Sequence, residues 1–183
     1  MRDILRFHVP CKIEYTKLVE DFIKISARYL HPNGSNDFVT KLCSVMNEVF
    51  INIVRHSNTA AENEIIRFQF EIGLKYFSIS IYDYGPGFKA DGNIPPYPKE
   101  CIGKKYKLRD VIDGIVYYKV LDPFSISFEF EEKQDVELDD LANFDKLADN
   151  GLGMSIVTKL MDTVTYSYVG NGKFDWKLTK TLD

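Results

Sequence analysis

Cysteine is scarce: Cys11, Cys43 and Cys101 are the only three, at spacings that suit neither a metal cluster nor a redox pair. An odd number without such spacing is expected of free thiols in a reducing compartment. Long apolar runs are missing as well, and nothing approaches the ~18 residues of a membrane-spanning helix. The start, Met1-Arg2-Asp3-Ile4, has no uninterrupted apolar core of a secretory signal, so a cytoplasmic protein without membrane contact is expected. A basic excess is absent too. The formal net charge is −4, which gives no support to direct nucleic-acid binding. No internal repeat and no linker interrupts the chain, so residues 1–183 read as one domain.

The 183 residues are 45% hydrophobic and 14% aromatic, with 27% charged. That suffices for one sizeable core and is too little for two ordinary domains. Residues 3–9 read as an entering strand stopped by Pro10. Leu18, Phe22, Ile25 and Tyr29 recur at three- and four-residue steps, which predicts a helix over about 14–30. After His31-Pro32-Asn33-Gly34-Ser35, a second helix is predicted over 36–56, with the stripe Val39, Leu42, Val45/Met46, Val49 and Ile53.

Residues 65–72 and 76–82 alternate around Gly73-Leu74-Lys75 and read as a hairpin. Residues 111–121 are ambiguous between strand and helix, whereas 124–130 alternate clearly. Residues 129–149 form an acidic block with a local net charge of −7. A helix entered at Asn150-Gly151-Leu152-Gly153 precedes two strands joined by Gly170-Asn171-Gly172, a strong hairpin signal. The order β-α-α-β-β, irregular segment, α-β-β predicts an α+β two-layer sandwich.

Polar residues break the apolar pattern in three places. Glu48, Asn52 and His56 are spaced by four on the second helix, predicted to lie opposite its apolar stripe. An Asn oxygen suits Mg²⁺ and a neighbouring Glu can take a proton; a solvated helix face explains the same spacing. Asp83-Tyr84-Gly85-Pro86-Gly87 ends a strand, where glycines permit close approach of a ligand and Asp can accept from an exocyclic amine. An ordinary Asp-capped turn is the alternative. Gly151-Leu152-Gly153 opens a helix, whose free amides suit phosphates; a glycine-bearing connection would look the same.

In sequence order, NEVFINIVRH (47–56), YDYGPGF (82–88), NGLGMSIVTKLMDTV (150–164) and GNGKFDWKLTK (170–180) resemble the anti-sigma-factor serine/threonine kinases. That family is a branch of the histidine-kinase-like, or GHKL, ATPase superfamily. The match covers roughly 3–88 and 150–180, and Met161-Asp162 and the closing Lys-Leu-Thr-Lys are its branch-like details. The resemblance implies a Bergerat-type fold: a mixed sheet with helices on one face, and an insertion at about 89–149 between the two glycine boxes.

By the resemblance, Glu48 orients and deprotonates the attacking hydroxyl and Asn52 is the Mg²⁺ ligand. Asp83 recognises the adenine amine above Gly85 and Gly87, and Gly151, Leu152 and Gly153 cradle the phosphates of ATP. The same likeness implies an anti-sigma-factor antagonist as substrate, a sigma factor as second partner, and a homodimer. His56 receives no chemistry, and Arg55 reads as solvated. Two further readings stand beside the kinase. One is a non-catalytic ATP-binding anti-sigma or signalling adaptor that docks through the insertion. The other is a histidine-kinase catalytic domain, ranked last because the chain begins almost at its first strand.

The insertion departs from the short lid of this branch. Its first part, Lys89 to Arg109, holds six basic and two acidic residues. Lys104, Lys105, Lys107 and Arg109 are candidates for phosphate contact, with a solvated loop as the alternative.

Overall fold

The computed structural model describes residues 3–30, 36–56, 65–72, 75–111, 114–133 and 157–181. Strand β1 (Asp3–Pro10) leads through a 3-10 turn (Ile13–Tyr15) into helices α1 (Thr16–Leu30) and α2 (Asn36–His56). Strands β2 (Ile65–Ile72) and β3 (Tyr76–Asp83) follow. Next come β4 (Lys105–Val111), β5 (Gly114–Asp122) and β6 (Ser125–Glu132), and the chain closes on β7 (Thr163–Gly170) and β8 (Lys173–Thr181).

All of these strands form one eight-stranded sheet in the order β1-β2-β3-β8-β7-β6-β5-β4. Every neighbouring pair is antiparallel, so the expected mixed sheet is corrected. The reason is connectivity. Only two or three residues separate β2 from β3, β4 from β5, β5 from β6 and β7 from β8, and such short links can only make antiparallel neighbours. The turn from β7 to β8 has positive φ at Gly170, Asn171 and Gly172 (96°, 54° and 72°), the left-handed backbone that its sequence favours. Of residues 111–121, ambiguous in sequence, Val111 ends β4 and 114–121 lie in the strand β5, which alternates buried Val116, Tyr118 and Val120 with half-buried neighbours.

One face of the sheet is apolar and carries α1 and α2. Phe7 of β1 stacks on Phe22 of α1 with ring centroids 4.2 Å apart, and Phe22 meets Phe70 of β2 at 5.5 Å. Phe50 of α2 reaches Phe68 at 6.4 Å. Helix α2 buries Leu42, Val45, Met46, Val49 and Ile53 as its periodicity predicts.

On α1 the expected stripe is rotated. Leu18 and Ile25 are 49% and 57% exposed, while Val19, Ile23, Ser26 and Ala27 are buried. Small Ser26 and Ala27 lie on the packed side, where a pattern read from large apolar residues alone misses them. No described helix is long and apolar enough to cross a membrane.

Candidate functional site

Asp83 is the last residue of β3 and is 3% exposed. Strand alternation puts it on the helix-bearing face with Ile79 and Ile81, so a carboxyl occupies a position that would otherwise be apolar. The Tyr166 hydroxyl donates to its Oδ1 at 3.4 Å. The Gly85 amide and the Trp176 indole also favour the charged form of this carboxyl. Burial outweighs these donors and pushes the carboxyl up to about 7. Desolvation disfavours the charged form, whereas hydrogen bonds to it restore part of the loss. The group is thus held between protonation states, and an incoming N–H donor would favour the carboxylate.

The turn after Asp83 has two glycines for two different reasons. A Cβ on Gly85 would meet the Tyr166 hydroxyl at 2.1 Å, so only glycine lets that ring approach Asp83. Gly87 has φ +73°, a left-handed conformation that side chains rarely adopt. Phe88 anchors the end of the turn, its ring 5.2 Å from Phe128, 5.4 Å from Tyr166 and 5.6 Å from Tyr118. The Tyr97 hydroxyl donates to the Phe88 carbonyl at 2.8 Å, and Tyr118 donates to the Lys89 carbonyl.

These elements enclose a cavity of about 320 Å³. Helix α2 supplies Asn52, Ile53 and His56; the turn supplies Asp83, Gly85, Pro86, Gly87 and Phe88. Tyr166 and Trp176 form an aromatic wall, and Leu108, Arg109 and Val116 of β4 and β5 complete the lining. The site is concave and mostly apolar with a few convergent polar groups, the usual make-up of a small-molecule pocket.

Asn52, Asp83, Gly85 and Gly87 are therefore brought together. Glu48 is not among the lining residues. It lies one turn before Asn52 on α2, half-buried, with its carboxyl raised by desolvation against the opposing charge of Arg55. Glu48 and Asn52 are both half-buried, so that side of α2 is not a fully solvated face. Gly151, Leu152 and Gly153 lie outside the described residues, as does most of the acidic block.

The basic cluster separates into paired and unpaired members. Lys104 pairs with Asp91 at 2.9 Å, Lys105 with Glu129 at 3.0 Å and with Glu131, and Lys107 with Asp110 at 2.5 Å. Their candidacy for phosphate contact is not supported.

Sequence reading did not find Tyr166, Trp176, Phe88, Leu108 or Val116, since an aromatic or aliphatic residue in an alternating strand signals only core. Trp176, the single tryptophan, sits beside Lys177 in the closing motif and carried no further signal.

A two-layer sandwich with a buried carboxyl, a glycine turn and an asparagine-bearing helix around one cavity is the architecture of a nucleotide-binding domain. Residues 16–174 match the family described as the histidine kinase-like ATPase domain, and the chain belongs to that family. Membership supports ATP as its ligand. No curated protein matches the chain.

Proposed function

We propose that this protein is an ATP-dependent serine/threonine protein kinase of the anti-sigma regulatory type, which transfers the γ-phosphoryl group of ATP to a hydroxyl of an antagonist protein. The observation that carries this reading is the convergence of Asn52, Asp83, Gly85 and Gly87 on one cavity of about 320 Å³. In this reading the adenine amine donates to Asp83 while the aromatic wall of Tyr166 and Trp176 packs beside the base. Asn52 offers one hard oxygen to Mg²⁺, which fits an ion that takes few protein ligands alongside substrate phosphates. Bound there, the ion would neutralise charge on the transferring group.

Glu48 is the general base. It takes the proton of the acceptor hydroxyl as that oxygen bonds to the γ-phosphorus and the bond to the ADP oxygen breaks. Half-burial and a raised carboxyl pKa suit it to that task, since a base works best when its pKa approaches the working pH. Glu48→Ala is expected to keep ATP affinity within about twofold and to lose at least ~100-fold in transfer rate, the usual contribution of a general base. Unchanged transfer of ³²P from ATP to the acceptor would refute the role.

The second reading is an ATP-binding adaptor without transfer. It is favoured by the position of Glu48 outside the cavity lining and by the three-strand extension β4–β6, which broadens the sheet. ATP-dependent capture of a partner with no phosphate transferred by the wild-type protein would decide for it. The sigma factor, the homodimer and the cytoplasmic setting belong to the kinase reading and carry no independent support from the geometry.

A further inference from the structure

We infer that Arg109, aimed into the cavity by a β-bulge, binds the phosphates of the nucleotide. This rests on the nucleotide reading of the cavity and adds to it a residue from outside the glycine boxes.

Strand alternation alone would put Lys105, Lys107 and Arg109 on one face of β4. The pairing with β5 is interrupted between Lys107 and Arg109: Lys107 lies opposite Tyr117, and Arg109 lies opposite Val116. Leu108 is the extra residue. A bulge of this kind reverses the alternation beyond it, and such bulges re-aim side chains beside binding sites. Before the bulge, Lys105 sits over the Tyr117 ring at 4.4 Å and pairs with Glu129 and Glu131. Beyond it, Arg109 shares a face with Val116, and both line the cavity.

Charge within the cavity assigns the ligand chemistry. Among the described lining residues, Asp83 is the only carboxyl and Arg109 the only lysine or arginine. The neighbouring lysines 104, 105 and 107 are each engaged by a carboxylate, and no described acidic group pairs with Arg109. Sheet order separates the two charges, with Asp83 on β3 and Arg109 on the edge strand β4 at the far side of β8, β7, β6 and β5. A ligand that gives an amine to Asp83 must carry its anionic part away from that carboxyl, and the exposed Arg109 lines the same cavity from a different strand. A planar guanidinium matches phosphate oxygens in pairs.

Calorimetric titration of the full chain with ATP and with adenosine tests the assignment. Arg109→Ala is expected to weaken ATP binding roughly tenfold or more, the range of a charge-assisted hydrogen bond. Adenosine affinity should stay within about twofold, and Arg109→Lys should recover part of the loss by restoring charge without the planar fork. Unchanged ATP affinity in Arg109→Ala, or equal losses for ATP and adenosine, would overturn the role of Arg109 and leave the nucleotide reading standing. A wild-type protein that binds neither ligand would overturn both.

Discussion

Replacing Asp83 by asparagine converts the electrostatics of the cavity into a measurable stability. The carboxyl is 3% exposed and is raised from 3.8 to about 7, chiefly by burial. Between those two values the folded protein holds a proton that the unfolded chain has released. Wild-type stability must therefore fall as pH rises through this window, by about 1.4 kcal/mol per pH unit. The full loss is about 4 kcal/mol and is complete above a pH of about 7.

The Asp83→Asn variant carries no such proton. Its altered hydrogen bond to Tyr166 shifts its stability by an amount that does not vary with pH in this range. Asp175, raised to about 6 by burial, adds a slope of its own to both proteins, which cancels in their difference apart from the minor repulsion between the two carboxyls. Between pH of about 5 and about 7 the difference should move by about 2 kcal/mol in favour of the variant. Urea denaturation of both proteins across that range reads it directly. A difference constant to within about 1 kcal/mol would refute the claim that burial dominates at Asp83.

The same group gives ligand binding a pH dependence of opposite sense. Adenosine affinity should fall as pH drops below about 7, because an amine donates to the carboxylate and not to the acid; titration calorimetry at several pH values checks this. Gly85→Ala should destabilise the fold by about 1–3 kcal/mol through the clash with the Tyr166 hydroxyl. Tyr166→Phe should rescue it in the double variant, since the next ring atom lies at an ordinary 3.4 Å; additive losses in a denaturation cycle would refute the steric account. Asp162 accepts from Lys180 at 2.7 Å and from the Thr181 amide at 2.6 Å, which hold its carboxyl at about 2. That stabilisation is present above the ordinary carboxylate value and lost as pH falls through about 2. Because the pair is largely exposed, Asp162→Ala should cost at most about 1 kcal/mol at neutral pH by urea denaturation.

Periodicity made α2, the two hairpins and the strand β6 legible, because each buries one face against a single neighbour. It failed where a residue's surroundings come from distant segments. The bulge at Leu108 leaves only a faint mark in the run Lys105 to Val111, where the apolar step lengthens from two, Tyr106 to Leu108, to three, Leu108 to Val111. Tyr166 is one aromatic among several in Thr163–Gly170, and its contact with Asp83 spans 83 residues of sequence. Asp83 and Asn52 were found because their motifs are local, and the opposite wall was not because its residues are distributed over β4, β5, β7 and β8. The two hairpins already imply antiparallel pairing, and the mixed sheet was an expectation of the resemblance alone.

The three extension strands share a core with the cavity, and this decides how kinase and adaptor can be separated. Phe128 of β6 stacks on Trp176 of β8 at 5.2 Å, with the rings 16° from parallel. Trp176 in turn lies 4.5 Å from Tyr166, which donates to Asp83. Buried Ile126 pairs in register with Tyr166. Removing β4–β6 to test a docking role would strip one side of this aromatic cluster and open the cavity, so loss of a partner would be inseparable from loss of the site. Surface changes on the opposite face avoid that difficulty. Glu129 and Glu131 engage Lys105 there, away from Val116 and Phe128. A Lys105→Glu variant that binds ATP normally and loses its partner would mark that face as the docking surface, whereas one that keeps its partner would return attention to the cavity and to Glu48.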